Sequence, residues 1–426
     1  MKNNESNPIP VFIFIPLCIL VFIRPFFSGL AYPVFELYYE NILIFLALLV
    51  FIAGAKTKFR TFPYNFNNFP VLFLLCAYSV STIFSIDVRN SISEMIKFAS
   101  FAALFFVVSQ SGVNQKKIIV KTIIAAAFII SLYSVYQYFW GYPHTIAYLK
   151  KINSDFLLKS SYARDILLAK RAIGTFPSPN MLGGYLVIAF FLSLELYRGR
   201  TSTWRFGLGS GLASVGILIA LLLTKSLGAW LSLLGALIIL FTINFDSLKK
   251  RKIILFSSIA LILIALTFIL ATRWERLIDI QNPQNSITQR LNYWRTAIAV
   301  IKDNFVFGVG PGNFKEVFLK YKTGLSTDTR YAHNVFLHIF SETGIPGLMA
   351  ILYLFIALFK RSNIKKHGFI FIAIFAFVFH NLIDNTFFIP ETAALFWISM
   401  GLIRGSNSSP LLKHPPVKNN DLPQAP

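Results

Sequence analysis

The chain has 426 residues, 55% of them hydrophobic and 45 of them Phe, with a formal charge of +22 and a mean hydropathy of +0.63. A soluble domain of this size could not hide that much apolar surface, so that class is excluded. Most Lys and Arg sit in short gaps between apolar runs, the pattern of charge at the ends of membrane spans rather than of a groove for a duplex, so no nucleic acid is expected as a partner.

The polar start, Met1 to Pro8, is followed by an apolar run without a small-residue cleavage site, which predicts a retained first span. Apolar runs of roughly the 20 residues that cross a bilayer recur along the chain and predict about twelve spans. Their limits are 9–27, 37–55, 69–86, 91–109, 117–139, 181–197, 206–224, 227–243, 253–272, 344–360, 368–386 and 389–404. Cys18 and Cys76 both fall inside these runs and read as small apolar packing residues. The basic segments Lys56–Arg60, Lys116–Lys117, Arg198–Arg205, Lys249–Lys252 and Arg361–Lys366 occupy every second gap. Placing them in the cytoplasm puts both termini there and exports two long connections, roughly 140–180 and 273–343. Basic ends of this kind also suit anionic membrane lipids.

The exported connections are basic as well, and topology does not explain that excess. In the second, Ser286-Ile-Thr-Gln289 matches a capping box, and Leu291, Trp294, Ile298 and Ile301 follow at helical spacing. Asp303-Asn304 and the glycines of Gly308–Gly312 end that helix, and a second short one is expected over Phe314 to Lys322. The pair predicts an amphipathic cap on the membrane surface. The expected fold is all-α: one polytopic membrane domain over 1–405, then a disordered cytoplasmic tail over 406–426, rich in Pro, Asn and Ser.

Within the exported parts, His333 has the chemistry of a base, because an unperturbed imidazole titrates near pH 6.5. Its other reading is a cap on the following helix. His338, five residues on, is expected to point elsewhere. Arg290 sits at a predicted helix start, where dipole and free amides already favour anions, and its planar fork suits phosphate; a lipid headgroup or a carboxylate would suit it too. Arg273 and Arg276 follow the ninth span on the same side and read either as further anion ligands or as snorkelling anchors. Arg171 precedes Gly174 and the rigid turn Pro177-Ser-Pro179-Asn180. Asp384 lies near the outer end of the eleventh span, where a carboxylate is costly unless paired or functional. It is placed to orient His333 or balance the arginines, with a contact to His380 one turn earlier as the competing reading. Arg24-Pro25 is equally open, and Glu94 with Lys97 reads as a self-neutralising pair. Gly308-Val-Gly-Pro-Gly-Asn-Phe314 lacks the Gly-Lys-Ser/Thr ending and the preceding strand of a P-loop. No paired-carboxylate metal motif is evident, and neither metal nor cofactor is expected.

The chain resembles the O-antigen ligase family, within the larger ligase–polymerase superfamily of membrane glycan transferases. The likeness rests on Arg171-Ala-Ile-Gly-Thr-Phe-Pro-Ser-Pro-Asn-Met-Leu-Gly-Gly-Tyr185, Thr224-Lys-Ser-Leu-Gly-Ala-Trp230, Arg290-Leu-Asn-Tyr-Trp with Gly308–Phe314, and His333-Asn334 through Glu342-Thr-Gly344. Where the family often has Ser-Arg-Gly, this chain has Ser226-Leu227-Gly228, with Lys225 as the nearby cation. The resemblance implies a GT-C-like fold and metal-independent transfer of a glycan from undecaprenyl diphosphate, at the periplasmic face of the bacterial inner membrane. Its acceptor would be a sugar hydroxyl such as that of lipid A–core. Carried onto matching positions, Arg171, Arg290 and one of Arg273 or Arg276 would hold the donor diphosphate. His333 would act on the acceptor hydroxyl and Asp384 would support the site. A polymerase and a protein O-oligosaccharyltransferase share these motifs. A transporter or flippase of polyprenyl-linked glycans would instead place its polar residues near mid-bilayer.

Overall fold

The computed structural model describes residues 8–56, 69–152, 154, 156–160, 163–198, 204–243, 267, 282, 285–322, 326–361 and 364–403. Among them every regular element is helical and none is a strand. The chain runs through α1 (Val11–Ile23), α2 (Pro33–Lys56), α3 (Phe69–Ile83), α4 (Val88–Gln110) and α5 (Val113–Tyr136). A π-helical turn, Gln137–Gly141, carries α5 straight into α6 (Tyr142–Lys151). The short α7 (Phe156–Lys159) and a second π-helical turn, Ala163–Leu168, precede α8 (Pro179–Arg198), α9 (Trp204–Leu223) and α10 (Leu227–Ile243). Then follow α11 (Ser286–Asp303), α12 (Phe314–Tyr321), α13 (Val335–Arg361), α14 (Ile364–His380) and α15 (Pro390–Ile403).

Every predicted apolar segment but one coincides with a helix; that one, 253–272, lies outside the described residues except for Thr267. The tail over 406–426 lies outside them too. Among the described residues five helical stretches are long and apolar enough to cross a membrane: Pro33–Ala53, Val88–Gln110, Val113–Lys151, Pro179–Leu196 and Val335–Phe359. The other apolar helices are shorter. Residues Pro390 to Leu402 of α15 are all buried, and this helix packs on α4, α8 and α14. At the periphery α1 and α2 expose Phe12, Ile15, Val34, Phe45 and Leu48, a surface that water would penalise and lipid would not.

The cap formed by α11 and α12 departs from the sequence reading in two respects. Asn285, not Ser286, caps α11: its side chain accepts the Ile287 N–H at 2.8 Å, and Ser286 is already helical. The buried face is also rotated. Tyr293, Thr296, Ala297, Val300 and Ile301 are buried, whereas Leu291 and Ile298 are 39% and 45% exposed. The reason is tertiary. Tyr293, Ala297 and Val300 join Val309, Phe314, Phe318 and Ala332 in a small core of their own, and that contact selects the face. Phe305, Val306 and Leu319 near the cap are exposed as well.

One break in a helix fixes this cap to the bundle. Within α13, Gly344 turns to φ 64, and Pro346 has no N–H to give to the Glu342 carbonyl four residues earlier. The orphaned acceptors are taken across the gap. Val309 N–H bonds the Ser341 carbonyl at 3.1 Å, Gly310 N–H bonds that of Glu342 at 2.8 Å, and Ile345 N–H bonds that of Phe305 at 3.1 Å. Ser81 Oγ of α3 donates to the carbonyls of both Phe307 and Glu342 at 2.8 Å. The close approach needs glycine: a Cβ on Gly308 would meet the Glu342 carbonyl, and one on Gly344 the Val306 carbonyl. Gly308→Ala, at φ 69, is therefore expected to destabilise by at least about 1–2 kcal/mol, since the left-handed backbone alone costs that much. Gly211→Ala, with nothing within 4 Å on α9, serves as the neutral control. Thermal unfolding in detergent compares the two, and equal midpoints would show that the clasp does not constrain the fold.

Candidate functional site

The site is built around the turn after α14. Asn381 shapes that turn: its Oδ1 accepts the Phe387 N–H at 2.6 Å, and its Nδ2 donates to the Phe377 carbonyl at 2.8 Å and to Thr386 Oγ at 3.0 Å. The next three carbonyls are claimed by other parts of the chain. Val335 N–H bonds that of Asn381 at 2.9 Å, Asn334 Nδ2 that of Leu382 at 2.9 Å, and Arg290 Nε that of Ile383 at 2.7 Å. The starts of α11 and α13 are thus bound to the end of α14, and Asp384 comes next.

Asp384 is 1% exposed. Its Oδ2 lies 3.3 Å from Arg290 Nη2, its Oδ1 accepts the Asn385 N–H at 2.9 Å, and the same Oδ1 lies 3.9 Å from His333 Nδ1. The permanent guanidinium charge of Arg290 beside it favours the ionised form. It is an anion at neutral pH. The contact with His380, the competing reading, is neither a hydrogen bond nor an ion pair, although the two groups interact electrostatically. The helix ends at His380, whose Nδ1 sits 3.1 Å from Thr386 Oγ.

His333 is held in the left-handed region at φ 53. Its ring stacks on Tyr293 with centroids 5.4 Å apart, and its carbonyl receives the Trp294 indole N–H at 3.4 Å. The side chain is 24% exposed, while Nδ1 is buried and has no hydrogen-bond partner. The helix-cap reading of His333 fails, because Asn334 does the capping: its Oδ1 accepts the N–H groups of Phe336 and Leu337, each at 3.0 Å. Burial lowers the His333 pKa to about 4, with Arg290 adding to the fall and Asp384 opposing it. The imidazole is neutral at pH 7, with Nδ1 turned to the Asp384 carboxylate.

Arg171 stands in a second cluster. Its Nη2 donates to Asn180 Oδ1 at 3.0 Å and its Nε to the Thr224 carbonyl at 3.2 Å. Ser226 Oγ donates to the same Asn180 Oδ1 at 2.9 Å. The turn after Arg171 is anchored by Gln137, which exchanges hydrogen bonds of 2.8 and 2.9 Å with the backbone of Gly174, and Tyr142 Oη donates to the Arg171 carbonyl at 2.9 Å. The two clusters adjoin at glycines. A Cβ on Gly183 would lie 3.2 Å from Ser226, one on Gly184 3.2 Å from His380, and one on Gly228 3.5 Å from Ile383.

Of the residues singled out from sequence, Arg290, His333 and Asp384 share one cluster, and Arg171 neighbours it. Arg273 and Arg276 lie outside the described residues. Lys225, at φ 49, donates to the Ala169 carbonyl at 2.9 Å. Arg24 is buried against Glu36 at 2.6 Å, with Glu391 3.9 Å away, a tie between the N-terminal helices and α15. Glu94 pairs with Lys97 as expected and is also 3.6 Å from Arg330. The Gly308–Phe314 loop serves as the clasp described above. Sequence reasoning gives Asn180, Ser226, Tyr293 and Asn334 only as parts of motifs, whereas the structure bonds Asn180 to Arg171 and Ser226 to Asn180, stacks Tyr293 on His333 and bonds Asn334 to the turn before Asp384. Among the described residues no group of three or more His, Cys, Asp or Glu side chains could hold a metal.

The electrostatics predict a distinctive titration. In the free protein the His333 ring takes its proton near pH about 4, where an unperturbed histidine would do so near 6.5. Arg290→Ala should raise that midpoint, because it removes a cation that disfavours imidazolium, and Asp384→Asn should lower it. Nitrogen-15 shifts of labelled histidine, followed against pH, measure all three; a wild-type midpoint near 6.5 would contradict the arrangement.

No curated protein matches the chain. Residues 212–352, which include Arg290, His333 and Glu342 but not Arg171 or Asp384, match the family model described as O-antigen ligase, the family its motifs resemble.

Proposed function

We propose that this chain transfers a glycan from undecaprenyl diphosphate to a sugar hydroxyl, most simply on lipid A–core, as an O-antigen ligase. The family match supports a membrane glycan transferase of ligase or polymerase type. The observation that carries the reading to these residues is the convergence of Arg290 and His333 on the buried carboxylate of Asp384.

In the proposed step the acceptor oxygen attacks the anomeric carbon while the bond from that carbon to the diphosphate oxygen breaks. The hydroxyl proton passes to the His333 nitrogen remote from Asp384. The electron pair leaves with the undecaprenyl diphosphate, and attack opposite the leaving group inverts the anomeric centre. Arg290 and Arg171 meet the charge that grows on the departing diphosphate, with one of Arg273 or Arg276 as a further ligand. Asp384 stabilises the imidazolium that forms. A diphosphate beside Arg290 also offsets the cation that depresses His333, which brings the base closer to its working range. The step uses no metal or cofactor. This reading places the site at the periplasmic face of the inner membrane, in a GT-C-like domain of about twelve spans over 1–405 with a cytoplasmic tail over 406–426.

Deletion in the native host, followed by separation of surface glycans, tests the reaction class. Loss of lipid-A-bound long glycan with lipid-linked polymer retained is the expected result. Single repeats without polymer would identify a polymerase instead. Complementation then tests the arginine: Arg290→Lys keeps the charge but loses the fork, and should transfer poorly at normal protein level. Arg290→Ala should cost about 10²-fold or more. Near-normal transfer by Arg290→Ala would make the residue a surface anchor.

A further inference from the structure

His338 is 1% exposed and belongs to the first turn of α13, directly behind the segment that carries His333. Both of its ring nitrogens are engaged. Nδ1 accepts the Ala332 N–H at 3.4 Å, so it carries no proton. Nε2 must then hold the hydrogen, and it faces Glu342 Oε2 at 3.4 Å, one helical turn on. Glu342 is fixed in turn, because its Oε1 accepts the Phe314 N–H at 3.1 Å. The ring is enclosed by Phe388, Tyr331 and Phe314, with centroids at 4.4, 5.3 and 5.4 Å, all edge-on.

A pocket lined by three aromatic rings would be filled more cheaply by Phe or Leu than by an imidazole. What the imidazole adds is one acceptor, aimed at the peptide N–H immediately before His333. That place is where a hold is needed. His333 sits at φ 53, a conformation that L-residues avoid, so its neighbours must enforce it. Tyr293 and Trp294 hold the ring and the carbonyl from the α11 side. The Ala332–His338 bond holds the backbone from the α13 side.

We propose that His338, held as the Nε2–H tautomer by the Ala332 N–H that its Nδ1 accepts, is the positioning residue for His333 and aims its ring through that bond. The inference rests on the reading of His333 as the base. It also gives the Glu342-Thr-Gly344 segment a second task besides the clasp. The Glu342 carbonyl binds the Gly310 N–H, while its carboxyl group lies 3.4 Å from the His338 Nε2 behind the His333 segment.

Three replacements separate positioning from packing. His338→Asn puts a carbonyl oxygen near the place of Nδ1 and can still accept the Ala332 N–H. His338→Gln puts its amide near the place of Nε2 and cannot. His338→Phe keeps only the ring. Purified full-length protein is assayed with lipid-linked donor and acceptor glycan. The expected pattern is a fall in kcat of about 10- to 10²-fold for His338→Gln and His338→Phe, the scale of a small misplacement, at nearly unchanged KM for the donor. His338→Asn should recover most of the turnover. Wild-type turnover in all three, or an equal loss in all three, would overturn the proposal. The unaltered protein gives a check that no variant's folding affects: nitrogen-15 histidine spectra should show a buried ring protonated at Nε2 and bare at Nδ1. The opposite tautomer at His338 would also overturn it. His333→Asn is run alongside. If it keeps full turnover, the base assignment itself is wrong; if it is inactive while His338→Gln and His338→Phe are normal, only the positioning role fails.

Discussion

Everything at this site depends on the burial of one carboxylate. Asp384 is taken almost wholly out of water, where an unpaired anion costs several kcal/mol. The fold meets that cost by bringing Arg290 from α11 to one oxygen and turning His333, from the approach to α13, toward the other. Neither contact would be possible unless the turn after α14 received both segments, and its three preceding carbonyls are bonded by Asn334, Val335 and Arg290. A permanent cation, a fixed anion and a neutral base therefore stand together by backbone design.

The same logic of orphaned backbone groups explains the glycine-rich loop. Pro346 and Gly344 interrupt α13 and release two carbonyls, and Val309 and Gly310 bond them. The loop therefore acts as the partner of a broken helix, with no phosphate cradle required. Its rigidity matters for the chemistry because Glu342 lies in the broken turn and touches both the loop and the ring behind His333. Structure and proposed mechanism meet at that residue.

The sequence exposed the helices well, since apolar runs of spanning length leave few alternatives; most limits fall within about four residues of the helix ends, but α13 begins well before the tenth run and α14 ends well before the close of the eleventh. It exposed the site less completely. Arg290, His333 and Asp384 were recognisable as costly or reactive residues, but their mutual contact joins residues 290 and 384, a distance in sequence that no periodicity reports. The buried face of α11 was read correctly at Ile301 but misread at Leu291 and Ile298, which are as apolar as Val300; only the small core with α12 decides between them. The helix-cap alternative for His333 is answered by its neighbour: Asn334 is the better capping residue and takes both free amides. Likewise Asn285 lies one residue ahead of the Ser286 motif and takes the cap first.

The central claim is that His333 removes the acceptor proton, and its most direct test is the turnover of His333→Asn. Asparagine tolerates the left-handed backbone at this position, so the fold is kept while the base is lost. With purified protein, lipid-linked donor and acceptor glycan, donor binding should remain near the wild-type value because Arg290 and Arg171 are untouched. Turnover should fall by about 10²–10⁴-fold. Wild-type turnover in that variant would contradict the account.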